Sequence, residues 1–178
     1  MKKLITIALL AFMVASVSAQ AGKSRSMWLG GRATFETSSE ITNIVIAPSW
    51  GMMLGDQFGL GATVRFYTGS NSYGIGFDPY VRYYIPVSDQ FSFYGDAYLG
   101  IQLGDESTNF DGFGIYADLS LGARLGLQYW LTPSWSIAAS TTIFGITSKA
   151  YEQDTEATTR TRFGINFNSV YFSLFWHF

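Results

Sequence analysis

Residues 113–129, FGIYADLSLGARLGLQY, alternate between two kinds of side chain. The odd positions, from Phe113 to Tyr129, are all apolar or aromatic, whereas the even positions are glycine, tyrosine or polar and include Asp118 and Arg124. A period of two is that of a β-strand with one apolar face. Strands of soluble proteins average roughly 5–6 residues, while a strand that crosses a bilayer needs about 9–11. The length of this segment therefore favours a membrane-spanning strand.

Seven other segments repeat the alternation. The predicted strands cover residues 26–36, 42–53, 57–68, 75–87, 91–104 and 135–147, and a last segment ends at Phe178. In the 135–147 segment, Trp135, Ile137, Ala139 and Ile143 are expected to face outward.

The charged residues of these segments all lie on the polar faces. A lysine or arginine on the lipid side at mid-bilayer costs roughly 2–4 kcal/mol. The pattern therefore indicates that the apolar faces contact lipid and that the charges point into an enclosed interior. The predicted interior charges are Arg32, Glu36, Arg65, Asp78, Arg82, Asp96, Asp118 and Arg124.

The connections between the segments alternate in length. Tight turns are predicted at 54–56, 88–90 and 131–133, and longer polar loops at 37–41, 69–74, 105–112 and 148–161. Short turns at one end and longer loops at the other are typical of transmembrane β-barrels, in which closure leaves no unpaired strand edge in lipid. We therefore predict an all-β fold, a closed antiparallel eight-stranded transmembrane β-barrel with up-and-down meander topology.

The last segment changes the parity of its apolar residues. Phe163, Ile165 and Phe167 share one parity, whereas Val170 and the apolar residues after it take the other. A turn at 168–169 would give nine strands. A β-bulge there adds one residue and exchanges the two faces, and this is the interpretation we adopt.

The first 19 residues have the composition of a signal peptide. Lys2 and Lys3 precede an apolar run at 4–14, and Val17-Ser18-Ala19 forms a small-residue cleavage site. An uncleaved anchor is the alternative, but the run is short for about 30 Å of hydrocarbon. We expect cleavage after residue 19 and a mature barrel domain at 20–178.

Composition excludes several classes of function. The chain has 13 acidic and 11 basic residues, so nucleic-acid binding is not expected. It has no cysteine, which excludes disulfides and thiolate metal sites. Its one histidine, His177, has no serine or aspartate constellation beside it in the sequence. We predict no enzymatic activity, no metal and no cofactor.

The interior of the predicted barrel allows two interpretations. If segments 75–87 and 91–104 pair across their tight turn, Arg82 faces Asp96, Tyr84 faces Tyr94, and Tyr80 faces Tyr98. Side chains can just fill an eight-stranded barrel, and buried charges must be paired or hydrated. A lumen plugged by this charge network is the prediction, and a narrow channel lined by the same residues is the alternative.

Three stretches carry a family resemblance: Pro48-Ser49-Trp50-Gly51-Met52, Pro79-Tyr80-Val81-Arg82-Tyr83-Tyr84 and the terminal Trp176-His177-Phe178. With the signal peptide, they resemble the outer-membrane β-barrel domain family of OmpA-like and OmpX-like small proteins of Gram-negative bacteria. The resemblance implies an outer-membrane location, with lipid, lipopolysaccharide and the barrel-assembly machinery as partners. Ser173 and Tyr171 depart from the usual residues of the family's terminal strand. The assembly signal implied by the resemblance consists of Val170, Phe172, Leu174, Trp176 and Phe178.

Aromatic residues near the tight turns suggest an interfacial girdle. The predicted girdle comprises Trp50, Phe58, Phe91, Tyr129 and Trp135, together with Trp176.

Loops 105–112 and 148–161 are candidate surfaces for an extracellular partner, since loops on a rigid scaffold often carry function. Asp105, Glu106 and Asp111 crowd the first of them and would meet divalent cations near lipopolysaccharide, although a solvated loop is the simpler interpretation. We predict a monomer with a structural or surface-interaction role. A soluble carrier of lipocalin type, the other eight-stranded alternative, would require an apolar interior and a polar exterior.

Overall fold

The computed structural model describes residues 26–37, 42–69, 72–108, 112–151, 158–164 and 170–178, and the regular elements in these ranges are β-strands. Within them, no helix is long and apolar enough to cross a bilayer. The strands are β1 (Met27–Thr37), β2 (Thr42–Met53), β3 (Phe58–Gly69), β4 (Ser72–Pro86), β5 (Phe91–Thr108), β6 (Gly112–Thr132), β7 (Trp135–Tyr151), β8 (Thr158–Phe163) and β9 (Tyr171–His177).

The strands form one closed antiparallel barrel. Each strand from β1 to β7 pairs with the next along the chain, β9 pairs with β7 through Trp135–Trp176, and β9 also pairs with β1 through Trp28–His177. Because β8 pairs with the other half of β7, β8 and β9 are two halves of the eighth strand. The predicted eight-stranded meander is confirmed.

The bulge predicted at 168–169 falls within residues 165–169, which lie outside the described ranges. On either side of them, Phe163 lies opposite Phe144 and Tyr171 lies opposite Ser140. The bulge stays a prediction. The parity change itself is confirmed, since Phe163 and Phe172 are 88% and 73% exposed.

A bulge that the sequence pattern concealed occurs in β7. Ala123 pairs with Phe144 and Arg124 with Thr142, which leaves Ile143 as the inserted residue. The bulge exchanges the faces of the strand, so the outward face continues through Phe144 and Ile146. Ile143 was expected to continue the outward face formed by Trp135, Ile137 and Ala139. As the inserted residue of the bulge, it interrupts that alternation instead.

Three predicted loops are mostly strand. β3 extends to Gly69 and β4 begins at Ser72, so most of 69–74 is strand. β5 likewise extends to Thr108 and β6 begins at Gly112, and β7 extends to Tyr151 and β8 begins at Thr158. Polar composition suggested loops, but an antiparallel neighbour satisfies the backbone whatever the side chains are. The three tight turns are confirmed as the connections after Met53, Pro86 and Thr132. The barrel end that carries them is called the turn end below, and the opposite end the loop end.

The two faces of the barrel differ as predicted. On β6, the outward residues Leu119 and Leu125 are 53% and 49% exposed, whereas the inward residues Tyr116 and Arg124 are only 4% and 7% exposed. The apolar side chains thus cover the outside and the polar ones fill the inside.

Inward glycines lie beneath large inward rings. Gly51 and Gly59 face Trp28, and a Cβ at Gly126 would lie 2.3 Å from Cζ of Tyr94. These glycines make room for bulky inward neighbours, so small residues face large ones across the interior.

We expect Gly126→Ala to destabilise the barrel by about 1–3 kcal/mol, because an added methyl group must displace the Tyr94 ring. The measurement is the urea midpoint of unfolding of the detergent-refolded chain, followed by its gel mobility. Gly95→Ala is the matched control, since a Cβ there meets its nearest atom at 3.7 Å. Equal midpoints for the two variants would contradict the packing argument.

The charged lumen as candidate functional site

A buried ion pair occupies the middle of the lumen. Arg82 on β4 lies opposite Asp96 on β5, and Tyr84 lies opposite Tyr94, which confirms the predicted register. Arg82 donates from Nε to Oδ1 of Asp96 at 2.7 Å and from Nη2 to Oδ2 at 3.0 Å. The two side chains are only 5% and 2% exposed. This bidentate geometry is the strongest form of arginine–carboxylate contact.

Aromatic rings surround the Arg82 guanidinium. Its Cζ lies 3.9 Å from the ring centroid of Tyr94, 5.2 Å from that of Tyr80 and 5.7 Å from that of Tyr84. Such cation–π contacts strengthen when the cation is removed from water. Trp28 Nε1 donates to the Tyr80 hydroxyl at 3.2 Å, so the cage also reaches β1.

Asp96 links a third strand to this pair. It lies opposite Arg124 of β6, whose Nε is 3.6 Å from Oδ2 of Asp96. The Arg124 guanidinium also lies over the Tyr98 ring, 4.6 Å from its centroid. One carboxylate thus faces two arginines from neighbouring strands.

A second polar layer lies nearer the loop end. Arg65 Nε lies 2.8 Å from Oδ2 of Asp78, and Gln102 donates to the Tyr116 hydroxyl at 2.9 Å. Tyr67 and Tyr116 are joined by their hydroxyls. Asp118 lies opposite Lys149 on β7, whose Nζ is 3.8 Å from the centroid of the Tyr116 ring.

The turn end is sealed by a group that the sequence did not reveal. Gln128 Nε2 donates to Ser136 Oγ at 3.0 Å, and Ser136 Oγ is 2.8 Å from Nε2 of His177. Ser136 is not near His177 in the sequence, because pairing of β7 with β9 brings the two together across 41 positions. Ser136 is 0% exposed and the Trp130 ring lies 4.1 Å from His177. A substrate has no access to this serine, so the geometry supports sealing rather than nucleophilic catalysis.

The remaining predicted lumen charges are Arg32 and Glu36 of β1. The Arg32 guanidinium lies inward, 4.2 Å from the centroid of the Tyr171 ring. The backbone of Glu36 pairs with Asn43, but its side chain lies outside what the structure describes. Among the described residues, no group of three acidic or histidine side chains is placed to hold a metal ion.

The predicted girdle residues all lie on the outward face near the turn end. Trp50, Phe58 and Trp135 are 44%, 53% and 43% exposed, whereas Phe91 and Tyr129 are half-buried. A second exposed aromatic set, which was not predicted although the same alternation marks it, lies nearer the loop end. This set comprises Phe35, Phe66, Tyr73 and Phe163.

The predicted assembly signal lies along the last strand. Phe172, Leu174 and Trp176 are exposed on the outward face of β9, and Val170 is half-buried just before it. Phe178 is 43% exposed, and its backbone exchanges two hydrogen bonds of 3.1 Å with Met27.

A closed barrel with an apolar outside and a charged, packed inside defines the class of integral membrane β-barrels. The chain belongs to the outer membrane protein beta-barrel domain family, whose model matches residues 7–178. This family membership places the protein in the outer membrane, and it is at odds with the soluble-carrier alternative.

Solved structures share the fold. The N-terminal β-barrel domain of Pseudomonas aeruginosa OprF is similar at a TM-score of 0.56 and 15% identity, covering 86% of this chain and 98% of that one. Neisserial surface protein A is similar at a TM-score of 0.55 and 13% identity, covering 85% and 96%. A comparison with curated proteins finds no match.

We expect Asp96→Asn to destabilise the barrel by about 3–5 kcal/mol, because losing one partner of a buried ion pair leaves the other charge uncompensated. The urea midpoint of the refolded chain measures the effect. Asp56→Asn, at an exposed turn position, is the control and should shift stability by less than about 0.5 kcal/mol. An Asp96→Asn midpoint within the control's range would contradict the role assigned to the pair.

Proposed function

We propose that the chain, after residues 1–19 are removed during export, is a monomeric structural or surface-interaction barrel of the outer membrane whose lumen is plugged. The observation that carries this proposal is the Arg82–Asp96 pair, which is buried inside a cage of aromatic rings. An open aqueous pathway at that level would hydrate these charges, and they are almost completely enclosed by protein.

The cross-section around the pair supports a plug. Trp28, Tyr80, Tyr94 and Phe175 are each no more than 4% exposed and converge on the same level. The cavity beside them measures about 30 Å³, which holds a few water molecules. Side chains from both sides of the barrel thus meet at its centre.

The loop end supports the surface-interaction part of the proposal. β6 has 21 residues. At about 3.3 Å per residue and a tilt of about 40°, a strand of this length spans roughly 50 Å along the barrel axis. This is about twice the ~25 Å height of the apolar band of such barrels. The described strand ends within 105–112 and 148–161 would therefore stand above the membrane. We propose them as the surface that meets an extracellular partner, with lipid and lipopolysaccharide around the barrel below.

A narrow channel for ions or small solutes is the second candidate function. The observation that favours it is the presence of inward charged side chains at two levels of the lumen, the Arg65–Asp78 pair nearer the loop end and Asp96 with Arg82 and Arg124 below it. Rearrangement of their pairs would turn the same residues into a charged pore lining.

We expect the refolded chain beginning at Gln20 to show no stable single-channel steps in a planar bilayer, because the plug leaves no continuous path. A gel shift of the reconstituted sample verifies that the barrel is folded. Reproducible steps that change in Arg82→Gln or Asp96→Asn, and not in Arg160→Gln at an exposed position of β8, would reject the plug and establish the channel.

We also propose that the terminal strand is read by the barrel-assembly machinery. Phe172, Leu174, Trp176 and Phe178 form an exposed apolar stripe, and a stripe that faces lipid after insertion is accessible to another protein before it. The backbone bonds between Phe178 and Met27 do not depend on the phenyl ring, so the ring is available for recognition.

We expect Phe178→Ala to lower the amount of barrel recovered from the outer membrane several-fold, while refolding from urea into detergent stays unchanged. Western blotting of membrane fractions measures recovery, and the intact mass of the recovered wild type tests whether the mature chain starts at Gln20. Phe163→Ala removes a ring that is 88% exposed away from the terminus and is the control. Normal recovery of Phe178→Ala would reject the assembly-signal role.

A further inference from the structure

The cavity beside the central ion pair carries an excess of positive charge. It measures about 30 Å³, and the charged groups that line it are Arg32, Arg82 and Arg124 against one carboxylate, Asp96. Three strands supply the cations, since Arg32 lies on β1, Arg82 on β4 and Arg124 on β6. The lining therefore holds three guanidinium groups and one acid.

The single carboxylate is already engaged. Both oxygens of Asp96 accept hydrogen bonds from Arg82, at 2.7 and 3.0 Å. Arg124 approaches Asp96 only to 3.6 Å, which is an ion-pair distance and too long for a good hydrogen bond. Arg32 rests on the Tyr171 ring, and none of the acids that the structure describes forms an ion pair with it. Asp96 thus compensates Arg82 and leaves the other two arginines in excess.

Hydrogen-bond donors of these two arginines lack acceptors. Nε of Arg32 and both Nε and Nη2 of Arg124 are buried and have no hydrogen-bond partner among the described residues. The Arg124 side chain is 9% exposed. An unpaired buried guanidinium donor costs more than a neutral one because its charge has also lost water. Because both arginines line one cavity, their unpaired donors favour negative charge near it.

We propose that the lumen cavity is a binding site for one small monovalent anion of about chloride size, held between Arg32 and Arg124. Water in the cavity would accept hydrogen bonds from the guanidinium groups but would not compensate their charge, whereas an anion does both. The hydroxyls of Thr63 and Ser173, which also line the cavity, supply further donors. The limited volume selects against large organic anions. This site goes beyond the plugged-scaffold function and does not require the barrel to conduct.

A ligand that binds only the folded barrel raises its stability. We therefore expect the urea midpoint of the refolded chain to be higher in sodium chloride than in sodium gluconate at equal ionic strength, because gluconate is too large for the cavity. At chloride about ten times above its Kd, the ratio of folded to unfolded protein should rise about tenfold. Arg32→Gln and Arg124→Gln should each abolish the difference between the two salts, while Arg160→Gln, which removes a positive charge from an exposed position, should retain it.

A direct measurement covers the case in which an arginine variant does not refold. Crystals grown in sodium bromide should show an anomalous peak within contact distance of the guanidinium groups of Arg32 and Arg124. Equal midpoints in the two salts for the wild type, a salt difference that persists in Arg32→Gln, or a cavity without an anomalous peak would each overturn the proposal. A silent bilayer recording leaves this result unaffected, so failure of the anion site and failure of the plug can be told apart.

Discussion

The structure depends on the requirement that every backbone amide and carbonyl within lipid finds a partner in the protein, because the hydrocarbon offers none. Pairing of β1 with β9, from Trp28–His177 to Gly31–Leu174, meets this requirement by closing the sheet. Closure makes one face of every strand convex and lipid-exposed and the other concave and enclosed. The alternation of Leu119 and Leu121 with Ser120 and Gly122 then becomes a separation between lipid and lumen.

The enclosed face determines what the barrel is able to do. Eight strands leave an interior that side chains can fill, and here rings such as Trp28 and Tyr94 fill it wherever glycines stand opposite. Charged groups among these rings must be compensated locally. Asp96 does this for Arg82, and the arginines left over are the basis of the proposed anion site. A plugged lumen and a bound counter-ion are thus two consequences of the same packing.

The loop end of the barrel is the part of the molecule to which the surface-interaction role is assigned. The membrane-spanning part is constrained by closure on one side and lipid on the other, whereas at the loop end β5, β6 and β7 continue beyond the height of the apolar band and are free of the lipid constraint. A scaffold that presents strand hairpins above the membrane is consistent with an outer-membrane barrel whose interior is packed.

The sequence by itself predicted an eight-stranded barrel, the lipid and lumen faces of most strands and, given pairing across the tight turn after Pro86, the contact of Arg82 with Asp96. A period of two separates the two faces, and a short turn aligns β4 with β5. Only the tertiary structure decided the bulge at Ile143 and the meeting of Ser136 with His177. It also decided that Arg32 and Arg124 share a cavity. These features depend on contacts between strands far apart in the chain, and the alternation within a single strand carries no information about its distant partners.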